Sequence, residues 1–373
     1  MKNFFFAIRN KITKSFYKLI FKKIFFIIDP EVVHDRIIKV GQFLGSNFLT
    51  REITKLFFYY SHKNLKQNIL GIDFPNPIGL AGGFDKNAQI TDILPSIGFG
   101  FMEVGSITGA PCEGNSKPRL WRLKKSRGLI VYYGLKNEGS EKLSNKLQKK
   151  SFKIPLGINI AKTNNKETVE LEAGISDYQK AFKKFTEIGD YFTINISCPN
   201  AFGGQPFTNP AYLDVLLTRI DKILTKKPVF LKISPDLTER EIDKIIEISK
   251  KHHVNGFICT NLTKRRDNKN IVENNISEKG GISGKVISEL SNNLISYIYK
   301  KTKRNFVIIG CGGVFTAEDA YIKIKAGASL VQLITGMIFE GPQLISTINQ
   351  GLVKLLKKDG LNNISEAVGL SHK

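Results

Sequence analysis

From about residue 68 onward the chain repeats one pattern: a short apolar run, a turn signal, then a stretch with helical spacing. The first four runs are Pro77-Ile78-Gly79-Leu80-Ala81, Phe101-Met102-Glu103-Val104-Gly105, Leu156-Gly157-Ile158-Asn159-Ile160 and Phe192-Thr193-Ile194-Asn195-Ile196. The last four are Val229-Phe230-Leu231-Lys232-Ile233, Phe257-Ile258-Cys259-Thr260, Phe306-Val307-Ile308-Ile309-Gly310 and Leu330-Val331-Gln332-Leu333-Ile334. Helical periodicity fills the gaps, as at Ile242, Ile245, Ile246 and Ile248. Continuous apolar strands alternating with helices belong to a parallel sheet covered on both faces. Eight such units within roughly 270 residues favour a closed (β/α)8 barrel over an open doubly wound sheet.

The first 28 residues follow another pattern. Lys2, Arg9, Lys11, Lys14, Lys18, Lys22 and Lys23 alternate with phenylalanines and isoleucines, and no acid appears. The charges cut every apolar run well short of the ~20 residues that a spanning helix needs. Lys22 and Lys23 also exclude a signal-peptide core. A basic, aromatic-rich helix of this kind lies in a membrane interface; the plainer alternative is a helix packed on its own domain. Asp29-Pro30-Glu31 reads as a fresh helix start, with proline in the first turn and acids beside it. The expected organisation is a helical arm over residues 1–65, giving access to a membrane, and a barrel over residues 66–373.

Composition changes this picture little. The 373 residues are 42% hydrophobic and 24% charged, ordinary for a globular chain. The four cysteines (Cys112, Cys198, Cys259, Cys311) form no CxxC pair, so no metal ligation, no disulfide framework and a reducing cytosol are expected. The net charge of +23 is compatible with nucleic acid or an anionic membrane surface. Lysine and isoleucine are abundant throughout, however, and no base-stacking aromatic motif accompanies them, so no nucleic acid partner is expected.

In a barrel the chemistry sits at the carboxyl ends of the strands. Those ends carry Gly82, Gly83 and Lys86, then Ser106, Asn159, Asn195 with Cys198, Lys232, and Thr260 with Asn261. Gly312 and Gly313 follow the seventh strand, Thr335 and Gly336 the eighth. Asn195 and Asn200 bracket Cys198 within Asn195-Ile196-Ser197-Cys198-Pro199-Asn200. Two carboxamides can hold a flat heterocycle bearing donors and acceptors, and a thiol between them is a candidate base or nucleophile. A structural cysteine at a strand end is the alternative. Gly312 and Gly313 let backbone N–H groups approach a phosphate, and Thr316 with Asp319 reads as a helix cap aimed at the same place.

From Asp29 to about Leu355 the chain resembles the dihydroorotate dehydrogenases, flavin enzymes of pyrimidine synthesis. The resemblance rests on Ile78 to Lys86, Gly114 to Leu120, Asn195 to Asn200, Gly281-Ile282-Ser283-Gly284, and Gly310 to Gly313. It implies a barrel holding FMN against Gly82, Gly83, Lys86, Ser106, Asn159, Asn195, Lys232, Thr260, Gly284, Gly312, Gly313, Thr335 and Gly336. It also implies dihydroorotate bound by Lys86, Gly134, Leu135, Asn195, Asn200 and Asn261, with Cys198, Lys86 and Asn195 in the chemistry. Cys198 would remove the C5 proton, supported by Lys86 and the asparagines, beneath a lid of residues 201–207.

The arm and the Asp29-Pro30-Glu31 start followed by His34 resemble the quinone-using, membrane-associated class of that family. The expected place is therefore the cytoplasmic face of the inner membrane, held peripherally. Three departures stand out. That class typically uses serine as base, whereas Cys198 resembles the soluble class. Val131 stands where the family usually has asparagine, with Lys136 and Asn137 as nearby candidate replacements. Leu262 stands where a hydroxyl is usual. A soluble acceptor such as fumarate or NAD, and a different dihydropyrimidine or enone as substrate, are the alternative readings.

Overall fold

The computed structural model describes residues 2–372, with side chains described from residue 4. Eight strands form the barrel: β1 (Ile78–Leu80), β2 (Phe101–Ile107), β3 (Leu156–Ile160), β4 (Tyr191–Asn195), β5 (Val229–Ile233), β6 (Gly256–Cys259), β7 (Val307–Cys311) and β8 (Leu330–Leu333). They close in the order 6-7-8-1-2-3-4-5, every neighbouring pair parallel. All eight lie where the apolar runs place them.

Successive side chains of a strand face opposite ways, and each face has its own composition. Outward residues such as Leu80, Val104, Ile158, Ile194, Leu231 and Val331 join one large core beneath the helices. Inward residues at the amino-terminal end form a separate apolar plug of Phe101, Tyr191, Phe230, Ile258, Ile309 and Leu330, capped by Phe74. Space for these aromatics comes from glycine: a Cβ on Gly79 would lie 2.4 Å from the Phe101 ring, and one on Gly157 2.2 Å from Tyr191. One layer higher the inward positions turn polar, with Glu103, Asn159, Thr193, Lys232 and Gln332 all buried. The plug closes one end of the barrel and the polar layer floors the other.

Two elements escaped the periodicity. A hairpin of Gln67–Ile69 and Ile72–Phe74 carries Phe74 to the barrel bottom, edge-on to Phe101 at 5.4 Å. A three-stranded antiparallel sheet of Leu120–Leu123, Gly128–Val131 and Gly281–Gly284 contributes Leu120, Leu129, Val131, Ser283 and Gly284 to the pocket at the barrel mouth.

The arm is helical: α1 (Lys2–Phe16) runs through a π-turn at Tyr17–Phe21 into a last turn at Lys22–Phe25, followed by α2 (Pro30–Gly45) and α3 (Phe48–Phe58). Asp29 caps α2 by accepting from the N–H groups of Glu31 and Val32 at 2.9 and 3.0 Å. Buried Glu31 then pairs with buried Arg119, Nη2 donating at 2.7 Å and Nε at 3.1 Å. Such a pair holds elements together chiefly because breaking it strands a buried charge, at about 3–5 kcal/mol.

Four basic residues of the arm turn to the protein, while Lys11 and Lys23 are exposed. Arg9 donates to the carbonyls of Leu56 and Tyr59 at 3.0 and 2.9 Å and to Ser346 Oγ at 2.7 Å. Lys14 and Lys18 pair with Glu340 at 3.0 and 2.8 Å, and Lys22 lies over the rings of Phe26 and Phe339. Tyr17 donates to the Ile338 carbonyl at 2.6 Å. Through these contacts the arm packs on its own domain. Arg9, Lys14, Tyr17, Lys18 and Lys22 face the barrel, while Phe4, Phe5, Ile8, Ile12, Phe16, Leu19 and Ile20 stay exposed.

Candidate active site

The polar floor is one continuous network. Glu103 on β2 accepts from Asn159 Nδ2 at 2.6 Å, Thr193 Oγ1 at 3.0 Å and Gln332 Nε2 at 2.9 Å. Asn159, so oriented, accepts from Ser106 Oγ through Oδ1, and Ser106 accepts from Asn195 Nδ2 at 2.9 Å. Asn195 Oδ1 accepts from Asn261 Nδ2 at 3.0 Å, and Asn261 also donates to Ser197 Oγ at 3.1 Å. Ser197 Oγ donates to the Lys232 carbonyl at 2.6 Å. Residues from six strands and their following loops thus hold one another in place. A site needs that rigidity to align reacting atoms.

One pocket lies above this floor. Gly82, Gly83, Lys86, Ser106, Asn159, Asn195, Lys232, Thr260, Gly284, Gly312, Gly313, Thr335 and Gly336 line it, as do Gly134, Leu135, Cys198, Asn200 and Asn261. Every residue singled out from the strand ends or the resemblance is present. Lys232 is 5% exposed and makes no ion pair with a carboxylate among the described residues. An ammonium this buried calls for an anionic or strongly accepting partner. Asn200 Nδ2 donates to the Val131 carbonyl at 2.8 Å, while its buried Oδ1 has no partner. Val131 therefore acts through its backbone, setting the Asn200 carboxamide. Asn137 does not replace the missing asparagine: its carboxamide is turned away to Thr108, Leu135 and Gly139. Lys136 does reach the pocket, and Leu262 lines it as an apolar wall.

Cys198 faces this pocket on one side and a smaller chamber under residues 201–207 on the other. Burial pushes its thiol up to about 11, against the pull of the Asn200 backbone N–H, Lys162 and Lys232. The expectation that Lys86 supports a thiolate is corrected here. Lys86 lies elsewhere, its ammonium 3.9 Å above the Tyr133 ring and 3.4 Å from His34 Nε2. Burial pulls Lys86 down to about 8 despite Asp35, Asp85 and Glu31. His34 is pushed down to about 4 by burial and by Lys86, so it is neutral near pH 7. Tyr133 points inward, its buried hydroxyl without a partner.

The expected phosphate geometry also needs one change. Thr316 caps its helix (Ala317–Lys325) through Asp319 N at 3.1 Å. The Asp319 carboxylate, however, already occupies that helix start, accepting from Phe315 N and pairing with Lys285. Gly312 and Gly313, at φ of 116° and 74°, instead face Thr335 and Gly336, where a six-residue helix (Thr335–Glu340) begins. Loops after strands seven and eight with a short extra helix are the usual phosphate site of this barrel.

The remaining wall is apolar: Leu120, Leu129, Val131, Ile334 and Ile338. It continues through a cluster with Phe315, Phe339 and Phe26, which brings the pocket lining to the end of the arm. His34, Tyr133 and Ser283 line the pocket without being expected there from the strand ends, and Lys162 lies in the chamber behind Cys198. Lys162 follows the same strand-end rule as the others. The rest come from the arm and the added sheet, whose approach to the barrel leaves no local sequence signal.

Comparison with known proteins agrees with this geometry. The family model for dihydroorotate dehydrogenase matches residues 64–356. The dihydroorotate dehydrogenase (quinone) of Trichodesmium erythraeum is 39% identical over 367 residues, covering 92% of this chain and 95% of the relative. That of a Sulfurovum species is 40% identical over 354 residues, covering 94% and 98%. Among solved structures, the DHODH of Eimeria tenella in complex with ferulenol superposes with a TM-score of 0.81 at 30% identity, covering 92% of this chain and 96% of that one. The chain belongs to the dihydroorotate dehydrogenase family of flavin oxidoreductases.

Proposed function

We propose that this chain oxidises (S)-dihydroorotate to orotate with FMN as its cofactor and passes the electrons to a quinone. The observation that carries this reading is a single pocket joining four parts. They are Cys198, the unpaired Lys232, the Gly312-Gly313 cradle and an apolar wall that runs to the arm.

The residues present fit FMN. Buried Lys232 without a counter-ion suits the electron-rich end of a reduced isoalloxazine, and a fixed cation there stabilises the charge that develops. Gly312, Gly313, Thr335 and Gly336 suit the phosphate, with Gly82, Gly83, Ser106, Asn159, Asn195, Thr260 and Gly284 along the ring and ribityl chain. When bound, FMN supplies the hydride acceptor. The protein's own part is to hold the substrate and take a proton. Asn200 Oδ1 is a free acceptor for a ring N–H, Lys86 a cation for the carboxylate, and Asn195 and Asn261 complete the carboxamide frame with Gly134 and Leu135. Cys198 receives the C5 proton. Its raised pKa makes the thiolate scarce and strongly basic, so reduction accelerates as pH rises toward 11.

Quinone is the acceptor this reading favours because the apolar wall reaches the arm rather than the water-facing loops. Residues 1–65 then serve membrane and quinone access, and residues 66–373 the chemistry. No described helix is long and apolar enough to cross a membrane. The exposed apolar face of the arm supports peripheral attachment at the cytoplasmic face of the inner membrane. Relatives named as quinone-dependent support the same acceptor.

The test is Cys198→Ala. It is expected to retain FMN while the anaerobic rate of flavin reduction by dihydroorotate falls about 10²–10⁴-fold, the usual worth of a general base. A rate within a few-fold of the parent removes Cys198 from this role.

A further inference from the structure

Behind Cys198, away from the main pocket, a small chamber is closed by the loop 201–207 and the helix Leu171–Lys184. Its one cation is Lys162, two residues past the end of β3 and only 3% exposed. The Lys162 ammonium donates to the Phe202 carbonyl of the loop at 2.9 Å and reaches Thr168 Oγ1 at 3.4 Å. No carboxylate among the described residues lies within ion-pair distance. Asp177, the nearest acid acting on it, spends its oxygens on Thr163 and the Gly109 N–H. Nothing in the flavin or substrate geometry uses this buried charge.

We propose that Lys162 is the positioning residue for Cys198: latched to the Phe202 carbonyl, its ammonium is held where it stabilises the thiolate that receives the substrate proton. This rests on the reading of Cys198 as base. The groups facing the thiol are few. Lys162 comes from the β3 loop, Lys232 from β5 and Cys112 from the loop before the added sheet. Tyr178 on the helix behind feels the same thiolate, its hydroxyl donating to the Asn195 carbonyl at 2.8 Å. Lys162 and Lys232 are the two side-chain cations, and only Lys162 lies outside the flavin pocket lining. Burial lowers the lysine, while Asp177 and, once ionised, Cys198 raise it.

The latch and the field make opposite predictions on removal. Losing only the latch opens the loop, lets water reach the thiol and lowers its pKa. Losing the field raises it. The experiment uses full-length, flavin-loaded protein. The pH profile of Cys198 alkylation by iodoacetamide, read by peptide mass spectrometry, is set beside the pH profile of anaerobic flavin reduction by dihydroorotate. Lys162→Met is expected to raise both apparent pKa values by about one unit, which cuts thiolate and reduction rate at fixed pH about tenfold. Lys162→Arg is expected to stay within about threefold of the parent. Unchanged or lowered pKa values in Lys162→Met overturn the proposal. Failure of the base assignment shows separately: Cys198→Ala then keeps the parent rate, while the alkylation shift still decides the coupling of Lys162 to Cys198.

Discussion

Lys86, with its ammonium above the Tyr133 ring and beside a neutral His34, is drawn down to about 8 by burial. It is therefore charged below about pH 8 and progressively neutral above. An anionic ligand at Lys86 favours the charged form, so affinity is fullest below that pH and declines above it. Orotate, followed by the absorbance change of the bound flavin, is expected to lose up to about tenfold in affinity per unit above pH 8. Lys86→Met is expected to bind more weakly and to flatten that dependence. A parent profile flat from pH 7 to pH 10 would show that Lys86 does not face the carboxylate. Residue types at strand ends made most of this site legible. What they could not show was pairing: Lys86 and Cys198 are close in role but held by different neighbours, and only the fold reveals that Lys162 and Lys232 act on the thiol.

Among the elements, the eight barrel strands were readable because each is buried on both faces and keeps one pattern. The sheet of Leu120–Leu123, Gly128–Val131 and Gly281–Gly284 was not. Its strands are four residues long, and Gly128–Val131 pairs with a segment about 150 residues away, so no local period marks it. The arm was legible as helix, and the structure corrects where four of its charges point, because a lysine reads the same facing lipid headgroups or Glu340. That correction sharpens the test of membrane attachment. Replacing exposed Ile12, Phe16, Leu19 and Ile20 by serine leaves the contacts of Arg9, Lys14, Tyr17 and Lys18 in place. Binding to anionic vesicles and turnover with a membrane-embedded quinone are expected to fall at least about tenfold, since each lost apolar side chain is worth roughly 1.5–3 kcal/mol of burial. Flavin reduction by dihydroorotate is expected to stay at the parent rate. Undiminished vesicle binding would assign attachment to another surface.

For the molecule as a whole, the barrel divides its labour along its axis. An aromatic plug closes the amino-terminal end, a hydrogen-bonded layer around Glu103 sets the floor, and the carboxyl end holds the pocket. The apolar wall from Leu129 and Val131 through Phe339 to Phe26 joins that end to the end of the arm's first helix. The central claim is that these parts oxidise dihydroorotate and hand electrons to quinone through that wall. It is tested most directly by anaerobic bleaching of the bound flavin with L-dihydroorotate, followed by reoxidation with a short-chain quinone, fumarate or NAD in separate mixes. Bleaching followed by fast reoxidation with quinone alone is the predicted result. Fast reoxidation by fumarate or NAD would contradict the assigned acceptor, and flavin that does not bleach would contradict the assigned substrate.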